Sequence, residues 1–112
     1  MARVIWAETA LRDLETIAEY IELDGPEAAK RVVQRAFEKT DQLEAFPESG
    51  SKPRPLKGTP YLRHISKPIL IYYRNEGNIS YIVHAVKEER KFDLSRIVEN
   101  DKKFERDRIS QR

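Results

Sequence analysis

The chain has no cysteine among its 112 residues, which excludes disulfides and thiol catalysis and fits a reducing compartment. Histidine is almost as scarce. With His64 and His84 alone and no thiolate, the ligands of a structural zinc site are lacking, and no metal or cofactor is expected. No apolar run approaches the roughly 20 residues that span a bilayer, and the opening stretch MARVIWAET has neither the basic nor the apolar region of a secretory signal. A membrane role is not expected, and the expected compartment is the cytoplasm. Glycine appears four times and never in a cluster, so no Gly-rich loop cradles a phosphate. No serine has a His-Asp arrangement nearby, which leaves nucleophilic hydrolysis without its parts.

The most informative absence is local. Between Ser51 and Arg74 there is no Asp or Glu, although charged residues make up 36% of the chain. That stretch holds Lys52, Arg54, Lys57, Arg63, Lys67 and Arg74, a formal charge of +6. The fifty residues before it hold six basic and eleven acidic residues, a formal charge of −5, and the net value of +2 hides the contrast. Such asymmetry bears on partners and association rather than on fold. The six basic residues are the candidate contacts for a nucleic-acid target or for an acidic partner protein. They would also serve simply to keep edge strands and turns soluble.

The length suits one domain with a single modest core. Val4-Ile5-Trp6 is a short β-favouring run. Ala10, Leu11, Leu14, Ile17, Ala18 and Ile21 then recur at intervals of three and four, one face of a helix ending near Leu23. Asp24-Gly25-Pro26 stops that helix and starts another, with Gly25 suited to a left-handed cap and Pro26 to the first turn. The second apolar face is Ala29, Val32, Val33, Ala36, Phe37, Thr40 and Leu43, ending at Phe46 before Pro47. Residues 48–58 read as an irregular basic loop. Tyr61–Ser66, Ile69–Arg74 and Ile79–Val86 are β-rich, and Asn75-Glu76-Gly77-Asn78 between the last two is a hairpin signal. Alternation places Leu70, Tyr72 and Arg74 on one face and Ile69, Ile71 and Tyr73 on the other.

The expected fold is therefore α+β, in the order β-α-α-β-β-β: an N-terminal strand, then an antiparallel helical hairpin packed on an antiparallel sheet. One sheet face should stay partly open. Residues 1–92 form the expected domain, and 93–112 a charged C-terminal helix or tail. Ala7 stands where a capping side chain is usual, which costs the first helix about 1 kcal/mol unless Thr9 compensates.

Metal-free RNA cleavage needs a general base, a general acid and cations around the scissile phosphate. Candidates are Arg63, His64, Arg74, His84, Lys87 and Arg90. Adjacent on one strand, Arg63 and His64 point to opposite faces and cannot readily share a phosphate. His64 and His84 serve equally as proton shuttles or as strand histidines that hydrogen-bond their neighbours. Arg63 and Arg74 suit paired phosphate contacts or salt bridges to acidic helices. Tyr61, Tyr72, Tyr73 and Tyr81 suit base stacking or an ordinary strand core.

The order of elements and several motifs together resemble the RelE/ParE superfamily of bacterial toxins from type II toxin–antitoxin systems. The motifs are Val4-Ile5-Trp6, Asp13-Leu14, Tyr20-Ile21, Pro26-Glu27-Ala28-Ala29, Phe46-Pro47, Leu56-Lys57-Gly58, Tyr61 with Arg63, and Ile71-Tyr72-Tyr73-Arg74. They reach to about Phe92. The long helical hairpin resembles the ParE branch, whose members inhibit DNA gyrase, more than the RelE branch, whose members cut messenger RNA on the ribosome. The resemblance implies a cognate antitoxin as partner, DNA gyrase as target, and the ribosome with mRNA as the alternative. For the alternative, Arg63, His64, Arg74, Lys87 and Arg90 would share the work. That set is incomplete: the basic position of the middle strand is Leu70, and no tyrosine follows Tyr81.

Overall fold

The computed structural model describes residues 2–110; Met1 and the last two residues of the expected 93–112 tail lie outside the described residues. The chain runs β1 (Arg3–Trp6), α1 (Glu8–Glu22), α2 (Pro26–Asp41), β2 (Tyr61–Ser66), β3 (Ile69–Glu76), β4 (Ile79–Lys87) and α3 (Leu94–Ser110). Short 3-10 turns lie at Gln42–Glu44 and Arg54–Leu56. The expected element order is present, and the charged C-terminal segment is a helix.

The sheet order is β1-β4-β3-β2. β2, β3 and β4 form the antiparallel meander. β1 adds to it in the parallel sense, with Arg3 opposite Ile79 and Trp6 opposite Ile82, so the sheet is mixed. A parallel neighbour requires a long crossover, which the helical hairpin and the first two meander strands provide. At the β3–β4 turn Glu76 faces Ile79, and Gly77 takes φ +60° while no non-glycine residue among the described residues has a positive φ. This is the type II′ hairpin, whose first central position favours glycine.

The α1–α2 hairpin covers one sheet face. Leu14, Ile17, Val32 and Ala36 pack there with Ile69, Ile71, Tyr73 and Ile82. On the opposite face α3 brings Ile97 against Tyr61, Tyr72, Tyr81 and Val83. The alternation along β3 is as expected, but α3 closes much of the face expected to be open. Within α2, Ala29, Val32, Ala36 and Thr40 are buried, whereas Phe37 lies at the rim with its ring 5.1 Å from that of Trp6.

Two local expectations change. Gly25 has φ 164°, an extended conformation rather than a left-handed one. The last turn of α1 already closes itself, with the Asp24 and Gly25 amides both donating to the Ile21 carbonyl, and the residue before Pro26 is pushed away from helical angles. At the other end Ala7 makes no side-chain cap, and Thr9 does not compensate, because its hydroxyl donates to the carbonyls of Val83 and Asn100.

Gly50 sits where no side chain fits. Its amide donates to the Tyr73 hydroxyl at 2.9 Å, and that hydroxyl donates to the Pro47 carbonyl. A Cβ on Gly50 would stand 2.5 Å from the Tyr73 hydroxyl and 3.0 Å from the Arg63 carbonyl. Tyr73 is fully buried and cannot give way. Gly50→Ala is expected to lower the unfolding free energy by about 1–3 kcal/mol in urea titrations, the cost of overpacking.

Candidate functional site

α3 begins at Leu94, where the Asp93 carboxylate accepts the Ser95 amide at 3.0 Å as an N-cap. Because the helix starts there, it leaves one end of the second sheet face uncovered. The result is a groove of about 890 Å3. Leu70, Tyr72 and Val86 form its floor, Thr16 and Tyr20 of α1 one wall, and Phe92 with Ile97 the other. Arg63, Lys87, Arg90 and Arg96 line it as well.

A bulge shapes its inner end. Tyr72 faces His84 but Tyr73 faces Ile82, so Val83 is an extra residue in β4. Strict alternation would aim His84 with Ile82 into the helical-hairpin core. The bulge instead sets it against Tyr72, ring centroids 6.0 Å apart, as bulges re-aim side chains. β1 ends opposite Ile82, so the edge of β4 beyond that point needs other partners. Three side chains from two helices supply them. Thr9 and Asn100 donate to the Val83 carbonyl, and the Asp13 carboxylate accepts the Ala85 amide.

Asp13 also lies 2.7 Å from His84 Nδ1 and 2.9 Å from Asn100 Nδ2. Asn100 Nδ2 faces two acceptors, Asp13 and the Val83 carbonyl, so it is the donor. His84 Nδ1 lies 2.9 Å from Asn100 Nδ2 as well, so the carboxylate and the carboxamide together orient the ring. The ring is 6% exposed, and its Nε2 has no hydrogen bond among the described residues.

The sequence candidates separate. Arg63, Lys87 and Arg90 share the groove with His84. Lys87 lies over the Tyr20 ring at 4.2 Å and pairs with Glu89 at 2.8 Å; this hydrogen bond raises the lysine pKa and lowers that of Glu89. His64 is on the other face of β2, with Nε2 donating to the Lys39 carbonyl at the end of α2. Lys52 Nζ is taken by the carbonyls of Thr59 and Tyr61. Arg54, Lys57 and Lys67 are exposed.

Arg74 is withdrawn from the surface, at 9% exposure. Its guanidinium grips Asp101 through Nε at 2.8 Å and Nη2 at 3.1 Å, and Nη2 also reaches Glu105. Burial opposes its charge, but the carboxylates of Asp101 and Glu105 outweigh burial and raise its pKa. Tyr61 donates to Asp101 at 2.8 Å, and burial together with that carboxylate pushes its pKa upward. The guanidinium groups of Arg74 and Arg108 each lie over the ring of Tyr81, 5.0 and 5.1 Å from its centroid. Of the two uses open to Arg74, phosphate contact or salt bridge, the structure assigns the second. Sequence reasoning named Asp13 only within the Asp13-Leu14 motif, with no role at the groove, and did not identify Asn100, Asp101 or Arg96; the Asp at the centre of α3's stripe, between Ile97 and Phe104, was the available signal for Asp101.

Residues 4–92 match the family described as the ParE toxin of the type II toxin–antitoxin system parDE. The chain is 40% identical over 85 residues to the candidate toxin Y4kP of Sinorhizobium fredii, covering 74% of this chain and 88% of that protein. It is 42% identical over 50 residues to toxin RelE2 of Caulobacter vibrioides, covering 45% of this chain and 57% of that one. In fold it is similar to a chain of the chromosomal ParDE system from P. aeruginosa, with a TM-score of 0.68 and 24% identity over 80% of this chain and 98% of that one.

Removing Asp101 leaves the buried Arg74 with only the more exposed Glu105 and, at 3.7 Å, Glu76, so Asp101→Ala is expected to cost on the order of 3 kcal/mol in urea unfolding. The double change Arg74→Met, Asp101→Leu should cost much less. Burial lowers the His64 pKa from its ordinary 6.5, so the unfolded chain binds its proton more readily. This contribution is complete above pH 6.5 and is lost as pH falls through the lower folded value. His64→Gln should flatten the decline in stability below pH 6.5 in a pH series of melts.

Proposed function

The chain belongs to the ParE toxin family of type II toxin–antitoxin systems, and we propose that it arrests growth by acting on DNA gyrase in the cytoplasm, neutralised by a cognate antitoxin. Residues 1–92 carry the toxin framework in this reading, and α3 (Leu94–Ser110) completes the second sheet face. Membership in the ParE family, rather than the RelE branch, favours gyrase. The single structural observation behind the choice of target is the dispersal of the residues that a nuclease of the expected type would use. His64 is bound to the back of α2, and Arg74 is closed in by carboxylates. No tyrosine follows Tyr81, so the set expected of the ribonuclease branch stays incomplete. Among the described residues no helix is long and apolar enough to cross a membrane, which is consistent with a target inside the cell.

One observation favours a second reading, ribosome-dependent cleavage of mRNA. His84, held through Nδ1 by Asp13, lines the groove beside Arg63, Lys87 and Arg90. A histidine oriented by a carboxylate is a competent general base.

A supercoiling assay separates the two. Purified gyrase, relaxed plasmid and ATP are titrated with this protein, with and without antitoxin. The expected result is lost supercoiling or accumulated linear DNA, reversed by antitoxin. No effect at large excess, together with mRNA cleavage in a translating extract that His84→Gln abolishes, would transfer the assignment to the ribosome.

A further inference from the structure

The groove brings together unpaired cations and exposed rings. Arg63, Arg90, Lys91 and Arg96 line it and make no ion pair among the described residues. Its acids do not neutralise them. Asp13 serves His84, Asn100 and the Ala85 amide, Glu89 serves Lys87, and Asp93 caps α3, which leaves Glu88 alone. Arg63 stands opposite Tyr72 in the β2–β3 pairing, and its Nε is buried without a hydrogen-bond partner. A guanidinium with an unmet donor favours an incoming oxyanion, which it can hold through parallel hydrogen bonds.

Carboxylate and phosphate both meet that description, and the rings decide between them. Tyr20 on one wall is 59% exposed and Phe92 on the other is 38% exposed. Lys87 lies 4.2 Å from the Tyr20 ring and is held by Glu89, so a cation is fixed beside that ring as well. Rings open to solvent among cations are platforms on which unstacked bases gain by stacking while their phosphates meet the charges. A peptide carboxylate would use Arg63 and leave the rings idle. The bases of a duplex are stacked on one another and turn only their edges outward, so they cannot use Tyr20 or Phe92 either. A single strand can use both. The floor then selects the sugar. Leu70 and Val86 are aliphatic, so a ribose 2′-hydroxyl laid on them would lose its water without gaining a partner, whereas deoxyribose and the thymine methyl group suit them.

We infer that the groove holds a single strand of DNA, with phosphates on Arg63, Arg90 and Arg96 and unstacked bases on Tyr20 and Phe92. The inference rests on the gyrase reading above for the source of the strand, since gyrase works on DNA. It gives the toxin a contact with the nucleic acid in addition to its contact with the enzyme.

The test is fluorescence anisotropy of a labelled 12-nucleotide oligothymidylate titrated with the folded protein at several salt concentrations. Binding is expected, weakening with salt at a log–log slope of about 2, from roughly 0.7 for each of three phosphates. Arg63→Gln should weaken it about tenfold and lower the slope by about 0.7. Tyr20→Ala should weaken it about fivefold or more, whereas Tyr20→Phe, which keeps the ring, should leave it unchanged. Arg31→Gln, exposed on α2 over the other sheet face, should change it by less than about twofold. Thermal melts confirm that each variant is folded, and the exposed Tyr20 carries the test if Arg63→Gln is not. No binding, equal binding of a 12-base-pair duplex, or oligouridylate bound as tightly as oligothymidylate would overturn the inference. So would equal losses from Arg63→Gln and Arg31→Gln, or no difference between Tyr20→Ala and Tyr20→Phe. No gyrase enters this experiment. Oligothymidylate binding with unchanged supercoiling would keep the site and remove the target, and lost supercoiling without oligothymidylate binding would keep the target and remove the site.

Discussion

A guanidinium and a carboxylate, both nearly shut off from water, hold the third helix on the sheet. Two charges buried in this way stabilise only when their geometry is good and their remaining hydrogen-bonding capacity is used. Here Arg74 meets Asp101 through two nitrogens, Tyr61 donates to the same carboxylate, and Glu105 takes what remains. The pair has directional demands that an apolar contact lacks. It therefore sets the register of α3 along the sheet as well as its attachment, and register decides where the helix begins. That starting point, at Leu94, leaves the end of the sheet bare and makes the groove.

The second constraint is the edge of β4. β1 is four residues long and stops opposite Ile82, so the main chain beyond it would be unpaired next to two helices. Asp13, Asn100 and Thr9 close that gap with side chains. In doing so they bind α1, β4 and α3 into one unit and orient the ring of His84. A residue of the groove is thus oriented by groups whose first duty is to satisfy backbone. Structural and functional demands fall on the same atoms, which limits how freely any of them can change.

Much of this architecture was legible in the amino-acid sequence, because it depends on periodicity. The 3.6-residue faces of α1 and α2 and the two-residue alternation of β3 appear in the structure at the expected residues. β2 spans Tyr61–Ser66 as expected, and β3 and β4 extend by a residue or two. What escaped was polar and long-range. Asp101 occupies the middle of α3's buried stripe, so a hydrophobicity pattern sees an interrupted helix where the structure has an ion pair. The bulge at Val83 reverses the facing of His84, and nothing in ISYIVHAVK announces an extra residue. The run of basic residues from Lys52 to Arg74 looked like one patch. Folding disperses it: Lys52 to carbonyls, Arg74 to acids, Arg63 to the groove, and Arg54, Lys57 and Lys67 to solvent. Charge adjacent in sequence becomes charge adjacent in space only where strands and turns allow.

The strand order has a further meaning for how the protein comes into being. β4 is the neighbour of both β1 and β3, and it is the last strand to be synthesised. Until it emerges, β1 has no partner, the hairpin helices have only part of the sheet to cover, and α3 does not yet exist. Contacts that join the two ends of a chain form late, since the loop between them must first be closed. During translation the polypeptide is therefore an exposed acidic helical hairpin followed by a two-stranded ribbon, without the groove. The working surface needs β4, so a message cut short before the codon for Ile79 yields no partial version of it.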